Sequence, residues 1–456
     1  MAENSTKPRV AIIGAGLAGL GAASTLVRGN FEITIFEGSN RVGGRVYPFE
    51  FGDGFLHQGA EYINGTNNEI YHLAVDRNLL DQESRIGDAF LANKDTVVVL
   101  DGQVVDRDIV NEFKQFITLF EEVSENKSTE EPEKDLERVF MDEYEKWVQG
   151  NKNAYQLDQL AKLHLKNIDT EWSGSASDIA AINVSQWQDG CDVEDSALLG
   201  KIGFQGILDH YRSLVPEEII RFHCEIVKID YGEIPLQITS SKGDVEKFDH
   251  VIVTSSLGYL KKHRDELFTP ALSKKKSDAI DLMGYGSNMK IFLEYDSPWW
   301  PKDAESILIS SSKMTPMEEN FMVFQPSNWC ENILVAWIAG DGPLESSKLD
   351  DVALIDFLNS HLKKNLAFYD VGKIRRIFRH TWIDDRFALG SYSYLTPDAV
   401  SSGYDVIKEL SMPIEIDGID RVLFAGEHTH HDMYQTTIGA VSTGQSQATR
   451  LLTMYN

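Results

Sequence analysis

The chain has 456 residues, 42% of them apolar, and its 43 basic and 71 acidic side chains leave a formal charge of −28. That length exceeds what one hydrophobic core serves, so two domains are expected, and a field of this sign repels phosphate backbones, which argues against a nucleic-acid partner. No stretch approaches the roughly 18 apolar residues of a membrane helix, MAENSTKPRV lacks an apolar leader, and Cys191, Cys224 and Cys330 have neither disulfide nor zinc-ligand spacing.

These absences lead to an expectation of no membrane partner and no bound metal, with the cytoplasm as the default location and the nucleus as the alternative. Residues 10–13 (VAII) and 31–36 (FEITIF) read as strands, and 17–28 reads as the helix between them, a βαβ unit. Gly14-x-Gly16-x-x-Gly19 bridges the first strand and the helix, and Glu37 closes the second strand. In such a fingerprint the first glycine allows a tight turn and the second lets backbone approach a pyrophosphate. The third lets helix and strand pack closely, while the acid accepts hydrogen bonds from a ribose. The segment that follows, EGSNRVGGRV, sets Arg41 and Arg45 beside Gly43-Gly44. Arginines there can neutralise phosphate, and the glycines let backbone pass a bulky cofactor. The R-x-G-G-R pattern resembles the glutathione-reductase-like flavoproteins and favours FAD over NAD.

Further along, the charge run at 121–137 suggests a solvated loop or helix end. Helical spacing marks 155–166, 205–215, 272–283 and 352–366, and strands are expected at 219–230, 235–240, 249–255, 288–295, 321–324 and 333–338. A terminal strand at 421–425 leads through Gly426-Glu427 and a polar loop to a helix at 439–452, so both chain ends are expected to meet at the cofactor.

Five segments resemble the flavin amine oxidase family, and within it the polyamine and spermine oxidase branch. They are GAEYING (59–65), VIVTSSLGYLKKH (251–263), NMKIFLEYDSPWW (288–300), TWIDDRFALGSYSYL (381–395) and LFAGEHTHHDMYQTTIGAVSTG (423–444). The resemblance implies an α/β protein whose FAD-binding Rossmann-like domain is interleaved with an α+β substrate domain. The FAD-binding parts are 7–84, 196–285 and 396–456, and the substrate parts are 85–195 and 286–395. It further implies that Gly14, Gly16, Gly19, Glu37, Arg45, Ala60, Val227, Gly426, Glu427, Thr437 and Ile438 contact FAD. Lys290 is then the lysine that holds a water at flavin N5, and Tyr392 is an aromatic wall facing the ring. Trp382 and Tyr394 are weaker wall residues, with core packing the simpler reading of Trp382. Ser391 stands where monoamine oxidases carry a flavin-bonding cysteine, so FAD is expected to be non-covalent.

Asn64 departs from the family. Many animal polyamine oxidases have histidine there and a plant type has glutamate, whereas asparagine cannot titrate near neutral pH. Glu61 is a second substrate-side residue, whose carboxylate could pair with an ammonium group. The reaction implied is hydride transfer from the carbon beside a neutral amine to flavin N5, then imine hydrolysis and reoxidation by O2 to give H2O2. Spermine, spermidine or their N-acetyl forms are the implied substrates. The competing readings are another flavin oxidoreductase, a chromatin demethylase of the same superfamily, and a flavoprotein with weakened oxidase activity that acts as a binding protein.

Overall fold

The computed structural model describes residues 7–81, 95–187 and 196–455. Cys191 and the expected boundary at 84–85 lie outside these residues. Strand Arg9–Ile13, helix Leu17–Leu26 and strand Glu32–Phe36 form the expected βαβ unit. The two strands pair in parallel with Val10 opposite Ile33 and Ile12 opposite Ile35. Their buried faces are nearly continuous runs of Val, Ile and Phe, as a parallel sheet covered on both sides requires. On the other side Arg9–Ile13 pairs with His250–Val253, which pairs with Ile419–Phe424. The six-stranded sheet therefore draws on the start, middle and end of the chain.

The two ends are also locked by their helices. A Cβ on Gly21 would sit 2.9 Å from the Val441 carbonyl oxygen, and one on Gly444 only 2.0 Å from that of Ala18. Small side chains thus let helix Leu17–Leu26 and helix Thr437–Tyr455 touch backbone to backbone.

A second sheet of seven strands has the order Arg376–Arg379, Asn288–Glu294, Ile333–Ala339, Val323–Pro326, Ser306–Ser310, Thr96–Leu100, Gln103–Val104. Asn288–Glu294 runs antiparallel to Ile333–Ala339 with Lys290 opposite Trp337. Its alternation is the one read from sequence. Met289, Ile291 and Leu293 enter one apolar cluster with Ile307 and Leu358, while Phe292 joins another on the opposite face.

One expectation needs correction. The strand expected over 219–230 is two strands, Ile220–Arg221 and Ile226–Asp230, in different sheets. Between them His223 takes a left-handed φ of 52°, and the amides of His223 and Cys224 donate to the carbonyls of Ser39 and Glu37. The chain changes sheet there. The charge run at 121–137 is a helix end, one of its two expected readings: it spans the end of a long helix, Arg107–Glu130, and the start of Leu136–Val148. Only the stripe Phe113, Phe116, Ile117, Phe120 betrays the first, and dense charge on its outer face hides the period.

Candidate active site

The glycine turn is built as its spacing demands. Gly14 has φ 107°, which a side chain rarely adopts. A Cβ on Gly19 would lie 2.0 Å from the Gly14 carbonyl oxygen, so only glycine lets the helix start this close to the strand. Gly16 and Gly44 face each other across a narrow gap, a Cβ on Gly44 falling 3.4 Å from the Gly16 Cα. Glu37 is buried and already bound: Oε2 accepts from the Ala15 amide and Oε1 from the Ser39 amide, both at 2.8 Å. Each oxygen keeps a second acceptor position for a hydroxyl.

The two arginines behave differently. Arg41 lies over the Tyr47 ring, 3.9 Å from its centroid, and donates to the carbonyls of Val42, Gly44 and Val46. Its guanidinium organises the glycine turn, whose converging carbonyls need a donor. Arg45 Nη1 donates to Glu427 Oε1 at 2.8 Å and to the Ser391 carbonyl at 2.6 Å. Glu427 Oε2 in turn accepts from Ser393 Oγ at 2.6 Å and from the Gln435 amide at 2.9 Å. Burial opposes both charges, but the pairing outweighs it: the Arg45 guanidinium is held above its ordinary pKa and the Glu427 carboxyl below. This ion pair ties the 43–46 turn to the loop that enters the last helix.

At the other end stands Lys290, only 3% exposed. Its Nζ is 2.5 Å from Glu61 Oε2 and 5.1 Å from the centroid of the Trp337 ring. Burial pushes the ammonium pKa down, and the Glu61 carboxylate works against that. The Trp337 indole donates to Gln325 Oε1 at 3.0 Å, and Tyr62 stacks beside it with centroids 6.1 Å apart. Tyr392 donates through its hydroxyl to the Thr170 carbonyl at 2.8 Å and accepts from Asn288 Nδ2 at 3.0 Å. Burial raises its pKa, so it stays a neutral ring. Asn64 pairs with Ser196 across a short antiparallel ladder, with Nδ2 3.2 Å from Ser196 Oγ.

One cavity of about 430 Å³ connects these groups. Gly14, Gly16, Glu37, Arg45, Ala60, Gly426, Glu427 and Thr437 line it, and so do Glu61, Asn64, Lys290 and Tyr392. Residues 17–452 match the family described as flavin containing amine oxidoreductase. The chain belongs to that family. Its relatives agree with this assignment. The bovine peroxisomal N(1)-acetyl-spermine/spermidine oxidase is 27% identical, covering 98% of this chain and 95% of the relative. A probable polyamine oxidase of Arabidopsis thaliana is also 27% identical over 98% and 99%. The mouse lysine-specific histone demethylase 1B is 24% identical, covering 97% of this chain and 52% of its own.

The cavity of this flavin amine oxidoreductase fits a flavin nucleotide on its own terms. Glycine backbone opens a cradle beside the start of one helix, Thr437 brings in the start of another, and both helix ends favour negative charge. Gln435 lines the cavity, and its Nε2 is buried with no hydrogen-bond partner among the described residues, a donor aimed at something the protein does not supply.

Three residues named from sequence do not line it. Gly19 and Ile438 pack behind the cavity wall, at the roots of the two helices. Val227 is 39% exposed, because the strand register shifts between Ile226 and Lys228; Cys224, Glu225 and Ile226 line the cavity there instead. Trp382 combines both of its readings, being 4% exposed, bonded to the Gln58 carbonyl and part of the lining, while Tyr394 is buried beneath Gly174 and Gly284 away from it. Sequence reading did not name Trp337, Trp172 or Glu171, which line the same cavity as Lys290 and Tyr392. Trp337 had one signal, its place in an apolar strand. Which residue it faces depends on register, which no local pattern gives.

Proposed function

We propose that this chain binds FAD non-covalently and oxidises a polyamine, either spermine, spermidine or an N-acetylated form, with O2 as the final acceptor and H2O2 as product. The observation that carries the reading is continuity: one cavity runs from Gly14 and Glu37 to Lys290, Trp337 and Tyr392. A cofactor seated on the glycine turn would therefore extend to the aromatic walls. Bound FAD supplies the redox chemistry, accepting a hydride from the carbon beside the amine and passing the electrons to O2.

The protein residues bind, orient and exclude water. Flat faces of Tyr392, Trp337 and Tyr62 suit an alkyl chain that ends in a cation. Asn64 offers an uncharged donor and acceptor to a substrate nitrogen. Lys290, enclosed beside Trp337, orients a water at the reacting end. In this reading Gly14, Gly16, Glu37, Arg45, Ala60, Gly426, Glu427 and Thr437 hold FAD along the cavity wall, Gly19 and Ile438 support that wall from behind, and Val227 contributes through its backbone. Ser391 supports non-covalent attachment: it places a hydroxyl at the position implied for covalent linkage, and its Oγ accepts from the Asn288 amide at 2.9 Å. We further assign 7–84, 196–285 and 396–456 to the FAD domain and 85–195 and 286–395 to the substrate domain. The segment origins of the two large sheets support this division.

The test is direct. The purified protein should show a flavin spectrum that bleaches anaerobically with a polyamine, and it should release peroxide with spermine, spermidine or N-acetylspermine in preference to tyramine or a methylated histone peptide. An unbleached flavin with every polyamine removes the proposal, and preference for the histone peptide replaces it with a demethylase.

A further inference from the structure

Glu61 and Lys290 come from segments 229 residues apart and meet at 2.5 Å inside the cavity. Lys290 has the Trp337 ring on one side and Glu61 on another, and both charged residues line the cavity. Among the described residues the Glu61 carboxylate makes no other hydrogen bond or ion pair. The other titratable groups around Lys290 do not replace it. His57, on the strand Gly54–His57, is fully enclosed and held neutral, its pKa pushed down to about 3 by burial, with the charge of Lys290 adding to the effect. Glu171 from helix Ala154–Trp172 and Tyr392 share the cavity, and Arg45 and Glu427 satisfy each other.

A buried ammonium with no counter-charge sheds its proton. We propose that Glu61 is a positioning residue: it anchors the Lys290 side chain against the Trp337 face and opposes the loss of its proton, instead of binding the substrate amine. Its catalytic consequence rests on the oxidase reading above, but the pair itself does not. Removing the carboxylate frees the lysine to lose its proton and to swing within the cavity, so the pH range in which it can orient a water moves to lower pH.

The experiment is a double-variant cycle on the FAD-loaded protein, with Glu61→Gln, Glu61→Asp, Lys290→Met and the Glu61→Gln/Lys290→Met pair. Three quantities are read: the thermal midpoint, the pH dependence of the flavin absorption band, and single-turnover rates of flavin reduction by spermine and reoxidation by O2. Glu61→Gln is expected to lower the thermal midpoint and to move the pH midpoint of the band and of the affected rate down by about one unit or more. Glu61→Asp should restore part of both. In the Lys290→Met background, Glu61→Gln should leave the pH dependence unmoved and should not lower the thermal midpoint further, and apparent spermine affinity should change less than about twofold in the single variant.

Additive effects in the cycle overturn the proposal. So does an unmoved pH midpoint combined with a tenfold loss of amine affinity, which would make Glu61 a substrate contact. If no amine reduces the wild-type flavin, the oxidase reading falls, yet the thermal and spectral arms of the cycle still decide whether Glu61 governs Lys290.

Discussion

His164 sits among rings, 4.9 Å from Phe140 and 6.3 Å from both Phe113 and Phe120. Burial pushes its pKa down to about 4. In the unfolded chain it titrates near 6.5, so between those values the unfolded state binds the extra proton. The resulting stability is present above pH 6.5 and is lost as pH falls toward 4, amounting to about 3 kcal/mol at most for a shift of this size. His428, also near 4, and His57, near 3, act in the same direction. Urea unfolding of His164→Phe at several pH values should give a flatter acid limb than wild type, and an identical limb would show that His164 is not a source of the acid sensitivity. At the reacting end, Lys290→Met should keep FAD bound while slowing flavin reduction or reoxidation about 10²-fold, as loss of an oriented polar group does. Unchanged stopped-flow rates would remove Lys290 from the chemistry. Asn64→His would bring back a group that titrates near neutrality, so amine binding should gain a pH dependence around 6 to 7 if that side chain touches substrate. A flat profile would place position 64 outside the substrate path.

Glycines decide how closely the elements approach. A methyl group at Gly19 or Gly444 would meet backbone oxygen at 2.0 Å, of Gly14 and Ala18 respectively, and backbone cannot step aside as a flexible side chain can. Gly19→Ala and Gly444→Ala should each cost about 1–3 kcal/mol as overpacking does, and should release flavin more readily on desalting. Thermal midpoints and retained absorbance check both. The same elements show why some of the fold was legible and some was not. The βαβ unit declared itself through local period and glycine spacing. Lys276, in the run Lys274–Lys276, is 4% exposed and caps the helix Val406–Ser411, donating to the carbonyls of Glu409, Leu410 and Met412. A distant helix end creates that environment, and nothing near Lys276 in the chain announces it.

Across the whole molecule, a charge of −28 sets up a field that gathers polycations. Raising ionic strength from about 0.05 to about 0.5 M should lower kcat/KM for spermine roughly tenfold while barely affecting a monoamine, because screening acts on each substrate charge. Equal salt dependence for both would mean that acidity serves only solubility. Among the described residues no helix is long and apolar enough to cross a membrane.

By itself, the sequence determined the dinucleotide turn, the flavin family and the alternation that places Lys290 on one face of its strand. All three are encoded in residues near one another or in ordered motifs. Only the tertiary structure decided what Lys290 meets. Glu61 lies outside its strand, and Trp337 is placed opposite by a pairing register that depends on the whole sheet. Glu61 was expected to meet an ammonium, and the one it meets is the protein's own. The joining of the glycine turn and the aromatic walls into one cavity was likewise settled only when the chain's start, middle and end came together in a single sheet.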